Sequence, residues 1–175
     1  MRKFSLLVVL IILTGTSCER DDICAESTAT TPHLIIRFYD INEQDQTKQV
    51  RLLTVNGIDD EGNPLGDIVS SISTDSIVLP LRIQGEGIVT TSRFALKKDS
   101  DFDTDTNDTT SSNTDVIEVS YTPEFVYVSW ACGYKSIFTN TQNTLILDTD
   151  NWVFGYEIVN PTIDNENATH IILYH

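Results

Sequence analysis

Short runs rich in Val, Ile and Thr are the feature that most constrains the fold of this chain. Each run spans about five to nine residues and is bounded by clusters of Gly, Asn, Asp and Pro, as β-strands and their turns are. A window of about 11 residues with the apolar spacing of an amphipathic helix does not occur. The runs predict strands over residues 33–40, 48–56, 76–83, 87–96, 115–122, 124–131, 134–139, 144–148, 152–159 and 169–174. This spacing indicates an all-β fold, an antiparallel β-sandwich of Ig-like or Greek-key type with about 8–10 strands.

The turn residues and the alternation along the runs predict where the chain reverses and which side chains form the core. Residues 59–64 and 85–87 are predicted connections, and Thr122-Pro123-Glu124 is a predicted hairpin. Apolar side chains that share a strand face are the predicted core: Leu34, Ile36, Phe38, Ile117, Val119, Tyr121, Trp152, Phe154, Tyr156 and Ile158.

Length and charge limit the classes of function. The chain has 175 residues, which suits one domain. Its 11 basic and 26 acidic residues give a formal net charge of -15, which argues against a nucleic-acid partner.

The amino terminus has the pattern of a signal peptide. Arg2 and Lys3 precede an apolar run over residues 4–13, and small residues follow at 14–17. A membrane-spanning helix needs about 20 apolar residues, roughly twice the length of this run. We therefore expect residues 1–17 to be removed.

Cys18 directly follows Gly15-Thr16-Ser17 and so resembles the lipobox cysteine of bacterial lipoproteins. The resemblance implies that Cys18 carries acyl chains such as palmitate and becomes the first residue of the mature chain. Residues 18–32 are then a lipidated tether, and residues 33–175 a single sandwich domain. Arg20-Asp21-Asp22 resembles the signal that exports lipoproteins of Bacteroidota to the cell surface, and a plain charged tether is the alternative. Both interpretations place the domain outside the cytoplasm. We expect a lipid-anchored protein of the outer membrane that faces the periplasm or the cell surface.

Two further cysteines, Cys24 and Cys132, suit an oxidising compartment. Alternation over residues 124–132 places Cys132 on the face of Val126, Val128 and Trp130. A reactive thiol or a metal site needs a neighbouring His or a Cys-x-x-Cys spacing, and the sequence has neither at these cysteines. We therefore expect a structural disulfide between Cys24 and Cys132.

Several segments together resemble an uncharacterised family of Bacteroidota lipoproteins. They are Asp21-Asp22-Ile23-Cys24, Thr30-Thr31-Pro32, 34–40, 126–135, Asn151-Trp152 and 165–171. The resemblance implies an outer-membrane lipoprotein of unknown function, encoded beside an outer-membrane barrel protein, and it brings no catalytic residues.

The acidic segment 99–115 alternates carboxylates in the manner of calcium loops. An EF-hand needs Gly at its sixth position and Glu at its twelfth, and counting from Asp99 these places hold Thr104 and Thr110. A flexible, solvated loop is the favoured interpretation. A weak calcium site is the alternative, with these ligands: Asp101, Asp103 and Asp105.

Three further hypotheses rest on isolated residues. Exposed aromatic side chains would make a glycan- or peptide-binding platform, and core packing is the favoured alternative for the candidates Trp130, Trp152, Tyr127, Tyr134 and Tyr156. Ser76 and Thr109 lie in triplets that resemble acceptors of Bacteroidota O-glycosylation, or in ordinary turns. A small hydrolase would draw on His33, His170 or His175, although Gly-x-Ser-x-Gly and His-Glu-x-x-His are absent and His170 suits a hydrogen-bonded strand histidine.

The sequence as a whole therefore predicts a non-enzymatic lipoprotein without a cofactor. We expect it to be a binding or accessory component of a cell-envelope assembly, attached to the membrane through its lipid and contacting a partner such as an outer-membrane barrel protein. A glycan-binding surface module is the alternative, and a small hydrolase is the third hypothesis.

Overall fold

The computed structural model describes residues 23–25, 28, 30–101 and 112–175. Within them lie nine strands: β1 (Leu34–Tyr39), β2 (Val50–Ile58), β3 (Pro64–Thr74), β4 (Ser76–Leu79), β5 (Thr90–Lys98), β6 (Asn113–Ser129), β7 (Gly133–Ile146), β8 (Gly155–Ile158) and β9 (Ile171–Tyr174). One sheet has the order β4-β1-β9-β8, and the other has the order β3-β2-β5-β6-β7. The predicted all-β sandwich is confirmed.

The chain divides into two compact units. The larger unit comprises residues 29–126 and 135–175 and contains the paired sheets. The smaller unit comprises residues 1–28 and 127–134, of which 23–25, 28 and 127–134 are described. Among the described residues, no helix is long and apolar enough to cross a membrane.

The core of the larger unit is built from alternating side chains of both sheets. Strand β1 buries Leu34, Ile36 and Phe38 completely, and its intervening residues are only half-buried. From the other sheet, β6 contributes Ile117 and Val119 to the same cluster. Burying a side chain of this size is worth about 1.5–3 kcal/mol, so the alternation fixes which face of each strand points inward.

One strand pair departs from the predicted antiparallel arrangement. Strand β1 pairs antiparallel with β4 but parallel with β9, with Ile36 opposite Ile171. Parallel neighbours need a long connection between them, and β1 and β9 lie at opposite ends of the described domain. Local patterns do not report the relative direction of strands so far apart.

The predicted hairpin at Thr122-Pro123-Glu124 is wrong, because β6 runs through all three residues. The last β5–β6 pair is Thr90 with Tyr121, so Pro123 lies beyond that ladder. Proline has no backbone N–H to donate, but at this position its absence does not interrupt the pairing of β6 with β5. The two predicted strands 115–122 and 124–131 are thus one strand, which ends at Ser129. The predicted strands 134–139 and 144–148 likewise belong to one strand, β7, which ends at Ile146.

Two further predictions need correction. Strand β3 was not predicted, because its side chains are almost all exposed and show no buried alternation. The predicted strand 152–159 is reduced to β8, Gly155–Ile158. The apolar residues of the predicted strand do not form one buried face. Trp152 is buried, whereas Phe154 is 64% exposed and Tyr156 is 43% exposed.

Candidate functional site

Among the residues that the structure describes, strand β3 forms one edge of the five-stranded sheet and pairs with β2 alone. The pairing contains register shifts, and the backbone has positive φ at Gly66 (116°) and Ser71 (48°). Such irregularities twist an edge strand and limit uncontrolled association through it. The outer side of an edge strand still presents backbone N–H and C=O groups to which an extended peptide can add.

A cavity of about 340 Å³ opens beside this edge. Leu65 and Ile68 of β3 line it together with Ile58 of β2, Phe94 of β5 and Leu81, which follows β4. Phe94 is buried, whereas Leu65 is 63% exposed, so the cavity has an apolar floor and an apolar lip. Ligand sites in proteins are typically concave and mostly apolar in this way.

Two arginines at the cavity are each paired with acidic groups. Arg82 Nη2 donates to the Thr91 carbonyl at 2.6 Å and lies 3.5 Å from Asp60 Oδ1. Arg93 Nε donates to Glu118 Oε2 at 2.6 Å, and this hydrogen bond raises the pKa of Arg93. Because both guanidinium groups face carboxylates, the cavity suits an uncharged apolar group better than an anion.

A hydrogen-bond network fixes the wall of the cavity that follows β4. Tyr121 Oη donates to the Arg82 carbonyl at 2.8 Å and lies 2.6 Å from Ser92 Oγ, which also accepts the Arg82 N–H. Burial raises the pKa of Tyr121, so the phenol stays protonated and keeps donating. The wall at Arg82 is therefore held in one position.

The turn between β6 and β7 is a second surface, in the smaller unit. Cys132 forms the predicted disulfide with Cys24, with Cα atoms 4.8 Å apart, so that prediction is confirmed. Ser129 Oγ accepts the Cys132 N–H at 3.1 Å. The rings of Tyr127 and Tyr134 meet edge to face, with centroids 5.4 Å apart.

The five aromatic residues proposed as a platform separate in the structure. Trp152 is buried, and its Nε1 donates to the Leu96 carbonyl at 3.1 Å. The other four are exposed: Trp130 by 93%, Tyr134 by 69%, Tyr127 by 51% and Tyr156 by 43%. The expectation that Trp130 packs in the core is wrong, because alternation shows which side chains share a face but not whether anything covers it.

The calcium and glycosylation hypotheses fall partly outside the described residues, where Asp103, Asp105 and Thr109 lie. Asp101 accepts hydrogen bonds from both Nη atoms of Arg51, at 2.9 and 2.8 Å, an arrangement that occupies its carboxylate. The half-buried Ser76 donates its hydroxyl to the Ile36 carbonyl at 3.3 Å. Both hypotheses stay predictions.

The histidines considered for hydrolysis lie in different settings. His33 Nδ1 is 2.5 Å from Glu166 Oε1, and this pairing lowers the pKa of Glu166. His175 packs edge to face against Phe38 and Trp152. In the part of the chain that the structure describes, no group of three or more His, Cys, Asp or Glu side chains could hold a metal ion.

His170 is fully buried one residue before β9, and its Nδ1 accepts the Ile35 N–H at 2.9 Å. Its Nε2 has no hydrogen-bond partner among the described residues, so the predicted hydrogen-bonded histidine is satisfied at one nitrogen. Burial lowers the pKa of His170 below its ordinary value of 6.5.

We expect the free energy of unfolding to fall as the pH drops below 6.5, because the unfolded chain then binds a proton that folded His170 resists. His170→Gln removes this titration. The variant should be less stable than the wild type at pH about 7.5 but should lose less stability on acidification to about pH 5.5. Urea unfolding at both pH values measures the two losses, and equal losses would rule out His170 as the source.

Comparison with known proteins assigns the sequence to a group without assigning an activity. A family model described as "Family of unknown function (DUF6452)" matches residues 52–175. No curated protein and no solved structure matches the chain.

Proposed function

We propose a function for this chain, which belongs to the DUF6452 family of unknown function. It is a non-enzymatic, lipid-anchored protein of the outer membrane that binds a partner in a cell-envelope assembly. The β3 edge and its adjacent cavity are the binding surface. The partner contributes an extended apolar segment, such as one from an outer-membrane barrel protein.

The membrane address rests on the amino terminus. Residues 1–17 have the order of a signal peptide, and Cys18 follows them at the place of a lipobox cysteine. Several acyl chains make a stable anchor where one chain would be marginal. The disulfide between Cys24 and Cys132 is consistent with a compartment outside the cytoplasm, and the resemblance to Bacteroidota lipoproteins supports the same address.

The observation that carries the binding role is the cavity of about 340 Å³ beside an exposed sheet edge. Peptides that add to a sheet edge gain affinity from main-chain hydrogen bonds and specificity from pockets that receive alternate side chains. The β3 edge offers the backbone groups, and the apolar cavity offers one such pocket. Because the nearby arginines face acidic groups, we expect an uncharged side chain of the partner in the cavity.

A matched pair of variants tests this surface. Leu65→Lys places a charge at the cavity lip, whereas Leu147→Lys alters a leucine that is 78% exposed and does not line the cavity. Native protein recovered from solubilised envelopes should bring down a stoichiometric barrel protein, identified by mass spectrometry. Leu65→Lys should reduce that recovery by about tenfold or more, the equivalent of one buried leucine side chain, and Leu147→Lys should not.

Two results would count against the proposal. Unchanged recovery with Leu65→Lys would remove the β3 edge as the binding surface. Recovery of the lipoprotein alone would remove the assembly role.

A glycan-binding module is the second candidate, favoured by the exposure of Trp130, Tyr127 and Tyr134. Binding to an envelope polysaccharide that Trp130→Ala abolishes and Leu65→Lys leaves intact would establish this role in place of the first.

A further inference from the structure

The turn between β6 and β7 carries exposed aromatic side chains that the proposed binding at the β3 edge does not use. Residues 127–134 read Tyr-Val-Ser-Trp-Ala-Cys-Gly-Tyr and contain no charged side chain, in a chain of formal net charge -15. Trp130 is 93% exposed, Tyr134 69% and Tyr127 51%. Ile23, next to the disulfide-bonded Cys24, is 84% exposed. We refer to Ile23, Tyr127, Trp130 and Tyr134 as the aromatic turn patch.

We propose that the aromatic turn patch inserts into the headgroup region of the lipid bilayer in which Cys18 is anchored, giving the protein a second membrane contact. This inference rests on the proposed lipid anchor. The aromatic turn patch then contacts lipid, whereas the β3 edge contacts the protein partner.

The chain length between the lipid and the patch supports this assignment. Cys24 follows Cys18 by six residues, a span of at most roughly 21 Å when fully extended. The disulfide joins Cys24 to Cys132, only two residues after Trp130. An acylated Cys18 therefore keeps the aromatic turn patch close to the membrane, and such tethering raises the effective concentration of the patch at the lipid surface.

The composition of the patch also fits a lipid surface. Trp and Tyr are enriched where proteins meet the membrane–water interface, because each combines an apolar ring with a polar group that stays hydrated. The absence of charge in residues 127–134 removes the desolvation cost that a Lys or Asp would bring to such contact.

The same geometry is poorly suited to a sugar. The rings of Tyr127 and Tyr134 are inclined at 70°, so they do not form a flat platform. Buried sugar hydroxyls also need hydrogen-bond partners. Ser129 is the one aliphatic hydroxyl of residues 127–134, and the Cys132 N–H takes up one of the two acceptor positions on its oxygen.

Tryptophan emission in vesicles tests the inference. The chain contains two tryptophans, and Trp152 is only 3% exposed. The full lipoprotein is reconstituted into phosphatidylcholine vesicles with or without brominated acyl chains, which quench tryptophans in contact with lipid. Flotation of the vesicles measures anchoring independently. Trp130→Phe is the matched control, since it leaves Trp152 as the only tryptophan.

We expect the wild type to float with the vesicles and to lose Trp130 emission to the brominated lipid, and we expect Trp130→Phe to float without any such loss. Flotation without quenching of the wild type would overturn the docking of the patch while leaving the anchor in place. Failure to float would contradict the anchor and the docking together. Unquenched Trp130 whose emission responds to a soluble envelope polysaccharide would make the patch a glycan site and overturn the lipid assignment.

Discussion

Replacing Asp115 with alanine should lower the free energy of unfolding by about 2–6 kcal/mol, because it leaves two buried backbone donors without an acceptor. Asp115 is fully buried, and its Oδ2 accepts the N–H groups of Trp152 at 2.9 Å and Val153 at 2.7 Å. Both residues belong to the core but lie outside any strand, so their backbone groups have no sheet ladder to join. Asp115 supplies the acceptor that the ladder would otherwise provide.

Asp115→Asn is the matched control, since its amide oxygen can still accept both hydrogen bonds. Burial raises the pKa of the Asp115 carboxyl, so the site favours the charged form less than water does, and removing the charge should cost little. Urea unfolding followed by circular dichroism should rank the proteins as wild type, then Asp115→Asn, then Asp115→Ala. Equal losses in the two variants would show that the hydrogen bonds are not the cause.

Removal of the disulfide should have the next largest effect, a loss of about 2–4 kcal/mol in the double variant Cys24→Ser, Cys132→Ser. The bond closes a loop with a sequence separation of 108 residues, and a crosslink over so long a loop strongly restricts the unfolded chain.

A reducing agent provides the control for this second prediction. The reductant should lower the stability of the wild type to that of the double variant and leave the variant unchanged. A double variant as stable as the oxidised wild type would contradict the prediction.

The sequence predicted the parts of the fold in which one strand face is covered. Leu34, Ile36 and Phe38 alternate with less buried residues, so the inward face of β1 could be predicted from the sequence. The pairing of Cys24 with Cys132 followed from the count of cysteines left after Cys18.

Strand β3 could not be predicted in this way, because both of its faces are largely exposed and its apolar residues therefore lack a period. The exposure of Trp130 was missed for a related reason. A local pattern gives the direction of a side chain, and only the tertiary structure gives its neighbours.

The cavity depends on segments distant in sequence. Ile58, Leu65 and Phe94 meet there only once β2, β3 and β5 have paired, and Leu81 joins them from the segment that follows β4 in the other sheet. Each of these residues alone resembles an ordinary strand residue, so no local signal marks the candidate site.

The proposed function and the proposed membrane contact both depend on the lipid anchor. The most direct test of that anchor is the mass of the amino-terminal peptide of the mature protein, purified from cells. We expect a mature chain that begins at Cys18 and carries acyl chains on that residue, and we expect the acylated species to be lost in a Cys18→Ala variant. A mature chain that begins at another residue, or one that begins at Cys18 without acyl chains, would contradict the lipid anchor.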